Sequence, residues 1–124
     1  MNKESLVSLI RFEDIKQAAE NEFHARLFID PNHKVFKGHF PGHPLLPGVI
    51  MVDIVRRCLE EIEGVSLRLD TASNIKFLHF LTPNKKPYSL EIKIKTERGK
   101  RNITARIFQK ELVYFKQNAS YIKK

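Results

Sequence analysis

Phe36-Lys37-Gly38-His39-Phe40-Pro41-Gly42-His43-Pro44-Leu45-Leu46-Pro47-Gly48-Val49-Ile50-Met51-Val52-Asp53-Ile54-Val55 is the stretch on which the fold turns. Its first part is a loop punctuated by Pro41, Pro44 and Pro47 and by Gly38, Gly42 and Gly48. Each proline fixes one backbone angle, and each glycine admits conformations or close approaches that a side chain forbids. Pro47 suits a first helical position, where its missing N–H would go unsatisfied anyway. From Val49 to Val55 the one polar side chain is Asp53. A helix apolar all round is expected to be buried on every side. A carboxylate placed there is costly unless it is paired, hydrogen-bonded or at work. A histidine in a stiff loop, a helix N-terminus with free N–H groups and a lone acid are the parts of an acid–base site with an oxyanion-binding end.

Working outward, residues 4–18 open on the apolar patch Leu6-Val7-Ser8-Leu9-Ile10 and predict a short strand. In residues 21–30, Phe23, Ala25, Leu27 and Ile29 recur at the period of a strand with one buried face. Pro31-Asn32-His33-Lys34 reads as a turn. Beyond the central stretch, Cys58, Leu59 and Ile62 continue an apolar stripe opposite Arg56, Arg57, Glu60, Glu61 and Glu63, and Gly64 is a natural stop. Residues 67–81, apolar on both faces from Ile75 to Leu81, predict a central strand. Pro83 to Pro87 reads as a loop. Leu90, Ile92 and Ile94 alternate with charged residues, Arg98-Gly99-Lys100-Arg101 reads as a hairpin turn, and Ile103, Ala105 and Ile107 resume the alternation. A turn near Lys110 leads into a last strand, Leu112 to Ile122. One long helix with five or six strands, antiparallel after the helix, predicts an α+β domain spanning residues 1–124, its sheet wrapped around the helix.

The 124 residues suffice for one domain with a real core. No apolar run is long enough to span a membrane, and the N-terminus lacks a signal-peptide pattern, so no membrane insertion is expected. The single cysteine, Cys58, excludes an intrachain disulfide and fits a reducing cytoplasm. There is no Cys/His cluster at zinc spacing and no glycine-rich phosphate loop, so no metal is expected. The formal charge of +8 concerns partners, not fold. Its carriers are spread along the chain and read as solvated faces. Nucleic-acid binding would place aromatic and basic residues together on one exposed surface. Tyr114, Phe115 and Lys116 are the nearest approach and sit in an ordinary strand pattern, so no nucleic acid is expected.

The run from His39 through Pro41, Gly42, Pro44, Pro47 and Gly48 to Asp53 resembles the signature of the β-hydroxyacyl-acyl-carrier-protein dehydratases, the FabA/FabZ family: His-Phe-Pro-Gly-x-Pro-x-x-Pro-Gly, then Glu or Asp on the central helix. The separation of histidine and acid, 53 − 39 = 14, is that family's catalytic spacing. The resemblance implies the hotdog fold and at least a homodimer joined sheet edge to sheet edge. It also implies a site between protomers, where His39 of one chain meets Asp53 of the other. The implied substrate is an acyl thioester carried on the phosphopantetheine of acyl carrier protein, an acidic partner for a basic chain, with no cofactor in the enzyme. It implies too that His39 is the base and that Asp53 works on the hydroxyl. Family members commonly have glutamine four residues after the acid, where this chain has Arg57.

The chemistry can be stated from the residues. Dehydrating a 3-hydroxyacyl thioester needs loss of an α-proton, departure of the hydroxyl and stabilisation of an enolate-like charge on the thioester oxygen. Backbone N–H groups of Gly48 and Val49, with Gly42 as a further candidate, suit that charge. A neutral imidazole at His39 suits the α-proton, and burial of Asp53 among Val49, Val52 and Ile54 would favour a protonated carboxyl as donor. Phe40, Pro47 and Arg57 are further candidates for substrate contact. His24, His33, His43 and His79 read as packed or solvated residues, and Asp53 has Arg57 as an i+4 neighbour for an ion pair. Two other readings stand beside a dehydratase. One is a hotdog thioesterase, which has no need of a histidine fourteen residues before its acid. The other is a non-catalytic module that binds acyl chains or carrier protein.

Overall fold

A computed structural model describes residues 8–37, 45–83 and 86–124. Strands β1 (Ile10–Ala19) and β2 (Glu22–Ile29) are followed by a 3-10 turn, Lys34–Phe36, and by helix α1, Gly48–Glu63. Strands β3 (Leu67–Phe77), β4 (Tyr88–Glu97), β5 (Lys100–Gln109) and β6 (Leu112–Lys123) complete the chain. The strands form one sheet in the order β1-β2-β4-β5-β6-β3. Every neighbouring pair is antiparallel. An antiparallel sheet curled around one helix is the hotdog fold.

Period-2 patterning builds the inner face of that sheet. Ala25, Leu27 and Ile29 of β2, Leu90 and Ile92 of β4, Ile103, Ala105 and Ile107 of β5, and Phe115 and Tyr121 of β6 are all buried. The helix answers with Ile50, Met51, Ile54, Val55, Cys58 and Leu59, a stripe at helical spacing. Gly64 ends the helix in the left-handed region at φ 70°, its N–H donating to the Glu60 carbonyl at 2.7 Å. Arg98 and Gly99 both have positive φ, the conformation a tight β4–β5 hairpin requires.

Four expectations are corrected. Pro47 caps the helix instead of opening it. Its ψ of 136° is extended, so Gly48 is the first helical residue. The helix is not buried on every side, because the sheet of one chain covers a single stripe and Val49 is left 70% exposed. Residues 67–81 do not form a central strand: β3 ends at Phe77 and lies at the sheet edge, pairing among the described residues only with β6. Phe77 at its end and Leu78 and Phe80 just beyond it are exposed, so hydrophobic side chains on both faces here mark an open edge and not a strand covered on both sides. Arg101 is not a solvated residue. It is buried, and its Nε donates to Glu63 Oε2 at 2.8 Å, fastening the end of α1 to β5.

The first strand begins later than its apolar patch. It runs from Ile10 to Ala19 with an irregularity between Glu13 and Lys16, where Asp14 has φ 54°. Residues 4–7 lie outside the described residues. Among the described residues no helix is long and apolar enough to cross a membrane.

Ile54 is fully buried at the centre of the stripe. Ile54→Ala is expected to cost about 2–5 kcal/mol in urea unfolding, the range for truncating a buried aliphatic side chain. Cys58 is a buried free thiol, pushed up to about 12 by desolvation and then by the Glu61 charge. A thiol held that high is not a nucleophile at neutral pH. Iodoacetamide is expected to modify it only once the protein unfolds; rapid modification of the folded chain, read by mass spectrometry, would contradict this packing.

Candidate active site around Asp53

The two ends of the loop that carries the histidine motif are anchored in the core. Before it, the His33 ring is buried; its Nδ1 accepts from the Val35 N–H at 3.0 Å and its Nε2 lies 3.0 Å from Ser8 Oγ. His33 therefore caps the 3-10 turn, and Phe36 plugs the core behind it. After the loop, Leu46 is buried and its N–H donates to the Leu81 carbonyl at 2.8 Å. His39, Phe40 and Gly42 themselves, with Pro41, His43 and Pro44, lie outside the described residues.

Gly48 opens the helix against an aromatic ring. A Cβ at that position would come within 3.2 Å of the Phe77 ring, a close approach that glycine permits. As first-turn residues, Gly48 and Val49 have N–H groups without intrahelical acceptors, and Val49 projects into solvent. Two hollows flank this end of α1. One, about 280 Å³, is lined by Leu46, Gly48, Met51, Phe77, Leu78 and Phe80. The other, about 480 Å³, has an apolar lining of Val49, Val52, Leu67, Leu69 and Ile75, with Asp53 among them.

The side chain of Asp53 is 44% exposed, so the enclosure expected around it is absent in the single chain. Ile54 turns into the core while Val49 and Val52 share the open side with the acid. The cation nearest the acid is Arg56, not Arg57. Arg56 Nε stands 4.0 Å from Asp53 Oδ1, whereas Arg57 faces Glu61 at 3.8 Å. Arg56 is itself held, with Nη1 donating to Glu60 Oε1 at 2.9 Å, and Glu60 Oε2 accepts the Leu67 N–H at 2.8 Å. Sequence reasoning passed over Arg56 although i,i+3 spacing puts it on the face of Asp53 as readily as i,i+4 spacing does Arg57. Arg68 and Lys124 add positive charge to the same groove.

The other histidines have structural surroundings. His79 is exposed and meets the Tyr114 ring edge-on at 6.0 Å. His24 lies 3.4 Å from both Glu22 and Glu91, and these three could together approach a metal ion. Both carboxylates already have cationic partners: Arg106 binds Glu91 at 3.1 and 3.2 Å, and Lys93 faces Glu22 at 3.6 Å. The Arg106 hydrogen bond is the main reason the Glu91 carboxyl sits below its usual range. That cluster lies on the sheet face turned away from α1.

The 3-hydroxyacyl-acyl-carrier-protein dehydratase FabZ of Fusobacterium nucleatum is 33% identical over 73 residues, covering 57% of this chain and 52% of that protein. The chain spans about half the length of the curated relatives it matches. The dehydratase heterocomplex ApeI:P from Xenorhabdus doucetiae superposes with a TM-score of 0.76 at 24% identity, covering 91% of this chain and 97% of that one. A thioesterase from Haemophilus influenzae does so with a TM-score of 0.57 at 13% identity, covering 92% and 78%. At such identities the two structures share the fold. A sequence profile described as the ApeI dehydratase matches residues 15–117, and by that match the chain belongs to the ApeI-like, FabA/FabZ-related dehydratases.

Proposed function

We propose that this protein is a 3-hydroxyacyl-acyl-carrier-protein dehydratase that converts a 3-hydroxyacyl thioester to the trans-2-enoyl thioester and water. The observation that carries the reading is the position of Asp53: an acid in an apolar groove, one turn from the free N–H groups of Gly48 and Val49. The His39 imidazole takes the proton from C2, and the electron pair moves toward the thioester oxygen, where the Gly48 and Val49 amides stabilise the charge. The pair returns as the C2–C3 double bond while the C3–O bond breaks, and the Asp53 carboxyl gives its proton to the departing hydroxyl. These steps draw on protein groups alone, so no cofactor or metal is invoked. Phe40 and Pro47 would line the approach. Family membership supports the reaction class, and the basic rim of Arg56, Arg68 and Lys124 suits an acidic carrier protein in a cytoplasmic setting.

The site as proposed needs a second copy of the chain. Among the described residues strand β3 has an unpaired edge, and beside it Leu69, Phe77, Leu78, Phe80 and Val49 expose apolar surface. Pairing two such edges would cover that surface, enclose the carboxyl that one chain leaves open, and bring His39 of one protomer to Asp53 of the other.

Two measurements test this. With a 3-hydroxyacyl group on carrier protein, wild type is expected to form the enoyl thioester, with His39→Ala and Asp53→Asn each slower by about 10²–10⁴-fold. Release of free thiol in place of enoyl product would instead make the protein a thioesterase, and turnover of neither kind would leave a binding module. By light scattering the chain is expected to have the mass of at least a dimer, and Phe77→Lys is expected to lower it. A wild-type monomer at tens of micromolar would overturn the shared site.

A further inference from the structure

The face of the sheet turned away from α1 carries three metal-ligating side chains on neighbouring strands. Glu22 and His24 lie two apart on β2, the period that puts both on one face, and His24 stands directly opposite Glu91 on β4. His24 Nε2 is 3.4 Å from Glu22 Oε2 and 3.4 Å from Glu91 Oε2, and the three donor atoms all lie within 4.8 Å of one another. That nitrogen is shielded from water and has no hydrogen-bond partner among the described residues.

The spacing decides what belongs between them. An N–H···O bond brings its heavy atoms to about 2.7–3.2 Å, and the one proton that Nε2 can carry would serve one oxygen, not two. Without a proton, the lone pair of Nε2 would face two anionic oxygens with nothing to offset the repulsion. Ligands about 2.0–2.1 Å from a tetrahedral zinc ion stand about 3.3–3.4 Å apart, the separation found on both sides of His24. One imidazole and two carboxylates, with a water in the fourth position, are ordinary ligands for Zn2+.

The surrounding cations leave the ligand atoms in place. Lys93 faces Glu22 through Oε1 at 3.6 Å, which keeps Oε2 for the imidazole side. Arg106 donates from Nε to Glu91 Oε1 at 3.2 Å and from Nη2 to Oε2 at 3.1 Å, and Oε2 retains a second lone pair. Those hydrogen bonds orient the carboxylate and, foremost among its neighbours, hold it in the ionised form that a ligand needs. The positive charges of Arg106 and Lys93, with Lys16 opposite His24 on β1, temper the attraction for a cation without removing its ligands. A search for zinc spacing along the sequence misses this set, because Glu91 reaches it from a strand far along the chain.

We propose that Glu22, His24 and Glu91 bind a Zn2+ ion that ties β2 to β4 on the outer face of the sheet. The ion is structural and takes no part in dehydration, so the site stands or falls separately from the reading of Asp53.

The test titrates Zn2+ into metal-free full-length protein, with binding read by calorimetry and unfolding by circular dichroism. Wild type is expected to take up one ion per chain at submillimolar Zn2+, and its Tm is expected to rise by about 5–10 °C at a 100-fold excess over Kd. His24→Ala and Glu22→Gln alter partly exposed side chains, so each is expected to fold, to bind about 100-fold more weakly and to lose the shift in Tm. Should one variant fail to fold without metal, the other decides. No saturable uptake by wild type at submillimolar Zn2+ overturns the proposal. Uptake at wild-type affinity by either folded variant overturns it too, since the ion then sits elsewhere.

Discussion

The stripe formed by Ile50, Met51, Ile54, Val55, Cys58 and Leu59 can leave water only against the curved inner face of the sheet, and each such side chain contributes about 1.5–3 kcal/mol by being buried there. Seating that stripe fixes the rotation of α1 about its own axis. At a hundred degrees per residue, the remaining positions have no freedom of their own: Val49, Val52, Asp53 and Arg56 must face outward, over β3 and the end of β6. The acid therefore reaches the rim of the core through the packing of its neighbours, not through any affinity of its own for that place.

Polar groups then pin the seams where helix and sheet meet. Glu63 and Arg101 join the end of α1 to β5, and Glu60 holds both Arg56 and the first N–H of β3. Tyr88 donates to the Thr82 carbonyl at 2.7 Å, tying the segment after β3 back to β4. These contacts add modestly to stability, since net hydrogen-bond contributions are about 1 kcal/mol each. Their larger effect is on geometry: they set the register between the helix that carries the acid and the edge strand that walls its groove.

The same arrangement explains an apolar surface on so charged a chain. With the helix seated on one side, Val49 and the segment around Phe77 to Phe80 stay uncovered next to a strand edge that is unpaired among the described residues. Hydrophobic residues on both faces of residues 75–81 are thus compatible with an edge as well as with a centre, and sequence alone gives no means of choosing. The choice depends on which strand β6 pairs with after the helix has crossed the sheet, a long-range outcome.

Much of this protein is legible in its residues read in order. The period-2 runs of β2, β4 and β5, the positive-φ turn at Arg98-Gly99, the stop at Gly64 and the long helix follow from local stereochemistry, which acts between residues close in sequence. The histidine-to-acid interval and the proline–glycine loop mark Asp53 and the helix N-terminus as candidates. Arg56 in place of Arg57 beside Asp53 is a local outcome of i,i+3 spacing that the sequence also permits, whereas the exposure of Asp53, the burial of Arg101 and the pairing of Gln117 with Tyr121 were decided only when distant strands closed around α1. Local rules specify which side of an element a residue occupies; what that side touches is set by the packing of elements far apart in the chain.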